Sequence, residues 1–279
     1  MSTTSTVMKH AADNIRILAA SMVEKAKSGH PGGAMGGADF INVLYSEFLQ
    51  YDPERPDWEG RDRFFLDPGH MSPMLYSQLA LAGKFSIDEL QQFRQWGSPT
   101  PGHPERDICR GIENTSGPLG QGHTFAVGAA MAAKFLAART GNPTFAKETI
   151  YAYISDGGIQ EEISHGSGRI AGTLGLDNLI MFYDSNDIQL STETKEVMNE
   201  DTAMKYRAWN WNVIEIDGND YEQLHNAIVE AKKEDKRPTL IIGKCIMGKV
   251  RARRTTHRMN ATARLMVHLW AAMLTATPS

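Results

Sequence analysis

At 279 residues the chain has room for one large domain or two small ones, and 41% hydrophobic with 22% charged residues is ordinary for a soluble globular protein. No run approaches the roughly 20 apolar residues of a membrane span, the first residues lack the apolar core of a secretory signal, and two cysteines, Cys109 and Cys245, are too few for a disulfide framework, so a reduced, cytoplasmic chain is expected. The formal charge of −4 is uneven: residues 1–249 hold 24 basic and 33 acidic groups, or −9, whereas residues 250–279 hold five Arg and no Lys, Asp or Glu.

Ala11, Ile15, Leu18 and Met22 recur at spacings of four, three and four, which predicts an amphipathic helix from about Val7 to Lys27. Ser28-Gly29-His30-Pro31-Gly32-Gly33 stops it, as Gly followed by Pro commonly does. Gly36 to Leu49 reads as another helix and Tyr51 to Arg63 as a Pro-rich, charged connection. Phe64-Phe65-Leu66 is a short strand running into Asp67-Pro68-Gly69-His70. Leu75 to Ala82 and Ile87 to Phe93 read as helices, and Thr100-Pro101-Gly102-His103-Pro104-Glu105 as a rigid loop. A lone His in such a turn is ordinarily solvated. Three of them, His30, His70 and His103, in three Gly/Pro turns fit a site better, and imidazole can donate or accept a proton near neutral pH. Gly117-Pro118-Leu119-Gly120-Gln121-Gly122 leads into an Ala-rich helix from about His123 to Arg139, and no Lys-Ser/Thr follows to make a P-loop.

The stretch from Ser155 to Ile188 organises the chain. The apolar run Thr149 to Ile154 ends in Ser155-Asp156-Gly157-Gly158, and a second run, Leu179 to Tyr183, ends in Asp184-Ser185-Asn186-Asp187-Ile188. Ligands of an open parallel α/β sheet bind outside the carboxyl ends of its strands, so an acid at one end and an amide at another can reach the same ion. Asp and Asn oxygens with a backbone carbonyl are hard donors, suited to Mg²⁺ or Ca²⁺ and poor for zinc. Gly157 and Gly158 would let the backbone turn sharply toward a phosphate, with a helix from about Gln160 presenting its first amides. Trp211 to Ile216 and Thr239 to Ile242 are further strands, flanking a helix from Tyr221 to Lys233. Four strands alternating with helices argue for a parallel sheet covered on both faces.

Asp-Gly, a Glu within five residues and Asn after about thirty resemble the diphosphate-binding signature of thiamin-diphosphate enzymes, and the surrounding residues resemble the N-terminal half of transketolases over roughly Ala11 to Lys249. The resemblance implies an α/β, three-layer αβα thiamin-diphosphate-binding fold with a mostly parallel sheet. It makes His30, in Ser-Gly-His-Pro-Gly, and His103, in Thr-Pro-Gly-His-Pro, catalytic residues that reach the sugar substrate. His70, Gly117, Pro118, Leu119, Asp156, Gly157, Glu161 and Asn186 become cofactor-binding, with Asp156, Asn186 and the Ile188 carbonyl holding Mg²⁺ or Ca²⁺. The small residues after Gly122 would allow close packing against a second subunit. Ser155, Glu162, Gly166 and Ser167 depart from the family's usual Gly, Gly, Glu and Ala, changes expected to affect packing more than metal ligation.

From Val250 onward the resemblance stops, and all 25 glycines lie before that point. The family continues Gly-Lys-Gly and later carries His-Gly-x-Pro-Leu-Gly. Restoring one base after Lys249 forces Gly at the Met266-Val267 and Trp270-Ala271 junctions, and the codons of residues 265–271 then permit His-Gly-Ala-Pro-Leu-Gly. Residues 250–279 therefore read as an aberrant, frameshifted and disordered tail behind a cofactor-binding domain at 1–249, and His257 and His268 take no family role. A genuine basic tail acting as a nucleic-acid arm is the competing reading.

The resemblance implies transfer of a two-carbon ketol unit from a ketose phosphate to an aldose phosphate, in the pentose phosphate pathway. The cofactor carries the carbanion chemistry and the protein positions it and moves protons. The family's pyrimidine-activating Glu lies on a second domain, so the expected partner is a C-terminal subunit carrying that pyrimidine-binding domain, in a homo- or hetero-oligomer without nucleic acid or membrane. A 1-deoxyxylulose-5-phosphate synthase-like chain, a 2-oxo-acid dehydrogenase subunit and a noncatalytic cofactor-binding subunit are the alternatives.

Overall fold

A computed structural model describes residues 3–189 and 192–249. The expectations for the 250–279 tail lie outside the described residues. Five strands, β1 (Arg63–Leu66), β2 (Ile150–Ser155), β3 (Leu179–Ser185), β4 (Asn212–Asp217) and β5 (Thr239–Lys244), form one sheet in the order β1-β2-β3-β5-β4, every pair parallel. The parallel register brings the ends of β1, β2 and β3 to one edge, with Leu66 opposite Tyr153 and Ser155 opposite Asp184.

Side chains alternate between two cores. Ile150, Ala152 and Ile154 of β2 join Leu179, Met181, Leu240 and Ile242 on one face, under the helices Gln121–Thr140, Glu162–Leu174 and Thr202–Ala208. Tyr151, Tyr153, Phe182 and Ile241 face the other way, under Thr3–Ala26, Ala38–Val43, Ser72–Leu81 and Tyr221–Ala231. Helices on both faces give the three layers that a sheet buried on both sides requires. The chain moves outward from β3 to β4 by way of Thr202–Ala208 and returns to β5 by way of Tyr221–Ala231 on the opposite face, as right-handed crossovers demand when the direction reverses.

Two expectations change in ways that matter for function. The Ser28–Gly33 turn is shorter than predicted: His30 is an extended N-cap and a helix resumes at Pro31 (Pro31–Gly36), where a proline at the first helical position loses no hydrogen bond. The predicted Gly36–Leu49 helix is thus split, continuing as Ala38–Val43 and a π-turn at Leu44–Phe48. The stretch after β2 is not a loop: a short helix occupies Asp156–Gln160, Glu161 is extended, and Glu162–Leu174 follows. Neither Gly157 nor Gly158 has a positive φ, so their role is not to turn the chain but to let neighbours approach.

Candidate active site at the carboxyl edge of the sheet

The site is stitched onto the end of β1. Asn114 pairs with β1 as a strand would, its Oδ1 accepting from Leu66 N at 3.2 Å and its Nδ2 donating to Leu66 O at 3.1 Å. Ser116 Oγ donates to Asp67 O at 2.7 Å. The buried Asp67 carboxylate then accepts from Gly120 N at 3.0 Å and His123 N at 3.1 Å, satisfying free amides at the start of the helix Gln121–Thr140. Burial pushes Asp67 up to about 6, against these bonds, which pull it down. Gly120 sits at φ +84°, and a Cβ there would stand 2.9 Å from Ser164 Oγ, so the Gly117–Gly122 loop presses on the helix that follows Glu161. Leu119 meets the next strand end: a Cβ on Gly157 would lie 2.9 Å from Leu119 Cδ1. Leu119 and Gly157 thereby share one wall, with Gly117 and Pro118 just ahead of Leu119 in the same loop, while Glu161 is exposed at the break between the two helices.

Asp156 and Asn186 lie together at the ends of β2 and β3, joined through the Asn186 backbone. Asp156 Oδ2 accepts from Asn186 N at 3.1 Å and Oδ1 from Tyr183 OH at 2.6 Å, and Asn186 Oδ1 accepts from Ile188 N at 3.1 Å in an Asx turn. Burial pushes the Asp156 carboxyl up and Asp187 adds to this, while the Tyr183 and Asn186 bonds and Lys244 oppose it. Next to it the fully buried Asp184 accepts from Tyr153 OH at 2.6 Å through Oδ2, while its Oδ1 has no partner, and burial raises its carboxyl to about 6. Among the described residues no three His, Cys, Asp or Glu side chains form a metal cage. A carboxylate, an amide oxygen and backbone carbonyls around a buried excess of negative charge nevertheless fit a hard divalent cation that brings further ligands of its own.

His30, His70 and His103 converge. The His30 and His70 rings lie 4.9 Å apart, edge to face. A Cβ on Gly69 would stand 2.9 Å from both His103 Cδ2 and the Ser116 backbone, so only glycine lets the His103 turn and the segment leading to Gly117 close on the turn that follows β1. The His103 turn is held by Ser72 Oγ to Gly102 O at 2.8 Å and Tyr76 OH to Pro101 O at 3.0 Å, and Ser116 N donates to Pro104 O at 3.0 Å. His70 is half-buried, and burial, the other two rings and Arg94 push it down to about 4. Partial burial and Arg94 also lower His30 and His103. These imidazoles are neutral at pH 7, each offering one donor and one acceptor.

The sequence reading passed over Asp67, Tyr183, Asp184 and Arg94. Asp67 was within reach of it, since an acid at the end of β1 follows the logic applied to Asp156. Nothing in the polar run around Arg94 marked it.

The architecture and its edge define a parallel α/β binding domain with its ligand site at the strand ends. The chain matches the family described as "Transketolase, thiamine diphosphate binding domain" over residues 7–266, a match that continues past Lys249. It is 47% identical over 244 residues to transketolase 1 of Vibrio vulnificus, covering 86% of this chain and 37% of that protein, and 46% identical over 244 residues to transketolase 2 of Escherichia coli, with the same coverage. A Campylobacter jejuni transketolase crystal structure superposes with a TM-score of 0.84 at 42% identity, covering 88% of this chain and 38% of that one. A Pichia stipitis transketolase solved with sedoheptulose-7-phosphate gives 0.84 at 37% identity, covering 88% and 37%. The chain belongs to the transketolase family, as its thiamine diphosphate binding domain, and spans a little over a third of the length of the relatives it matches.

Proposed function

We propose that this chain is the cofactor half of a transketolase that moves a two-carbon ketol unit from a ketose phosphate to an aldose phosphate, together with a partner chain bearing the pyrimidine-binding domain. The observation that carries the reading is the convergence of His30, His70 and His103 on the edge where Asp156 and Asn186 meet. Asp156, Asn186 and the Ile188 carbonyl would hold Mg²⁺ or Ca²⁺, and Gly117, Pro118, Leu119, Gly157 and His70 would line the cofactor. Thiamin diphosphate, when bound, supplies the nucleophilic carbon that carries the transferred fragment. His30 and His103 bind and orient the sugar hydroxyls, and as neutral imidazoles they can take or return a hydroxyl proton at pH 7.

The helices Gln121–Thr140 and Glu162–Leu174 leave Phe125, Met131, Phe135, Ile163, Ile170 and Leu174 exposed. So large an apolar surface supports a second copy of this chain packing there, near Glu161. The reading is tested by ketol transfer between sugar phosphates with and without a separately expressed pyrimidine-binding domain. Activity is expected only with both, and robust turnover by this chain alone would overturn the division of labour. Pyruvate used as donor in place of a ketose phosphate would favour a 1-deoxyxylulose-5-phosphate synthase or 2-oxo-acid dehydrogenase role. Cofactor binding without turnover under any pairing would favour a noncatalytic subunit. The frameshift proposed for residues 250–279 is decided by the nucleotide sequence across codons 245–280: a missing base upstream of an open frame is expected, and an intact frame as written refutes it.

A further inference from the structure

Arg94 follows the helix Ile87–Leu90 in a left-handed conformation, φ +63°, which costs a non-glycine residue energy. The strain is held locally: Arg94 N donates to Thr100 O at 3.0 Å, and the buried Thr100 hydroxyl donates to Glu89 O at 3.0 Å. The side chain then runs between two of the histidine-bearing turns. Its Nη1 donates to Ser28 Oγ at 2.9 Å, a Cβ on Gly102 would stand 2.8 Å from its Nε and 3.0 Å from its Cζ, and one on Gly29 would stand 3.5 Å from Nε. The two glycines therefore form the slot that the guanidinium fills. Its Nε is buried there without a hydrogen-bond partner, and the ion pairs of the described residues leave Arg94 without a carboxylate. A half-buried guanidinium whose Nε has neither a hydrogen-bond partner nor a carboxylate beside it is costly to hold, so its placement calls for a compensating role. The titratable and charged groups that act on the three rings are the rings themselves and Arg94.

We propose that Arg94 is a positioning residue of the sugar cleft: wedged between the Ser28–His30 and Gly102–His103 turns, it sets the spacing of the two imidazoles and keeps an unpaired positive charge beside them. The charge favours the neutral rings, whose lone pairs remain free to accept hydrogen bonds from sugar hydroxyls. The proposal rests on the reading of this cleft as the sugar site, but its test needs neither cofactor nor turnover. Imidazole Cε1–H NMR signals of the full chain are followed from pH 4 to 8.5 in the wild type and in the Arg94→Gln, Arg94→Lys and Gly102→Ala variants, with His10 and His225, outside the cleft, as references. In Arg94→Gln the His30 and His103 signals are expected to titrate at higher pH than in the wild type, and Arg94→Lys restores the wild-type midpoints. A purely structural role would move both variants alike. Unchanged midpoints in Arg94→Gln overturn the proposal. Should that variant not fold, Gly102→Ala retains the charge but drives the guanidinium from its slot, and an unmoved His103 midpoint there overturns it equally. Loss of ketol transfer with these shifts intact would count against the transketolase reading alone.

Discussion

Gly122 and Gly128 lie in the same helix, and replacing each by alanine should have opposite effects. Helix propensity alone predicts a gain of up to about 1 kcal/mol at either position. At Gly128 a new Cβ meets nothing within 4 Å, so that gain is expected in full. At Gly122 the Cβ would stand 2.4 Å from Asp67 Cα, 2.7 Å from Asp67 N and 2.8 Å from Leu66 O, all backbone atoms that no rotamer change can move. Ordinary contact begins at 3.4 Å, so the helix start and the end of β1 must part by up to about 1 Å. That separation adds roughly 1–3 kcal/mol of overpacking. It also stretches the Asp67 bonds to Gly120 N and His123 N, bonds to a charged group worth about 1.5–3 kcal/mol each. With partial loss of those bonds and the propensity gain subtracted, Gly122→Ala should destabilise by about 2–5 kcal/mol. For a domain of this size each kcal/mol moves Tm by about 2–4 °C. Thermal melts followed by circular dichroism should therefore show Gly122→Ala about 4–20 °C below the wild type and Gly128→Ala about 2–4 °C above it. A Gly122→Ala melt at or above the wild-type Tm would refute the close approach of this helix to β1, and with it the account of how the Gly117–Gly122 loop is held.

Asp67 should also make stability depend on pH. Burial raises its folded-state value to about 6 against about 3.9 in the unfolded chain, so the folded form holds a proton that the unfolded form gives up between those values. Its contribution is complete below about pH 4 and lost as the pH rises through about 6, an effect of up to about 3 kcal/mol. Urea melts should show the wild type losing stability relative to Asp67→Asn across that window, and a constant difference from pH 4 to 7 would exclude it. Asp156→Asn keeps an acceptor for Tyr183 OH but removes the charge. Calorimetric titration of thiamin diphosphate with Mg²⁺ should weaken by at least the roughly 10-fold that loss of an outer partner costs a metal site, and unchanged affinity would remove Asp156 from the metal set. Phe135, 65% exposed, should anchor the contact between copies. Phe135→Glu should weaken a dimer seen by light scattering about 10- to 100-fold, the value of one buried aromatic, and a wild type that is monomeric at high concentration would dismiss that surface.

Much of this arrangement was legible because it depends on period and order. Ile150–Ser155 and Leu179–Ser185 are continuous apolar runs of strand length, and their ends place Asp156 and Asn186 whatever the details of the turns. The histidines were legible as a set because each sits in a Gly/Pro turn that a folded core would otherwise have little use for. The helix at Asp156–Gln160 was not legible, since two consecutive glycines argue against a helix locally. Tertiary contact wins there: Cβ atoms at Gly157 and Gly158 would meet Leu119 Cδ1 at 2.9 Å and Ile154 Cγ1 at 2.7 Å, so the glycines are needed for packing whatever they cost in propensity. Arg94 was hidden for a different reason. Its place depends on two turns from distant parts of the chain arriving on either side of it, which no local pattern encodes.

β1 is one of the two edge strands of the sheet, yet it carries most of the site. An open strand edge invites pairing with another chain. Here Asn114 covers it with a side-chain copy of a strand's hydrogen bonds, and the segment so captured continues into Ser116 and the Gly117–Gly122 loop. The same strand end holds Asp67, which anchors that loop, and Gly69, which admits the His103 turn beside His70. The Gly117–Gly122 loop and the imidazole cluster are therefore both fixed to the end of one short strand, and the Ser116 N to Pro104 O bond ties them to each other there. A change that loosens β1 should disturb both together, whereas a change at Asp156 or Arg94 should disturb only its own half.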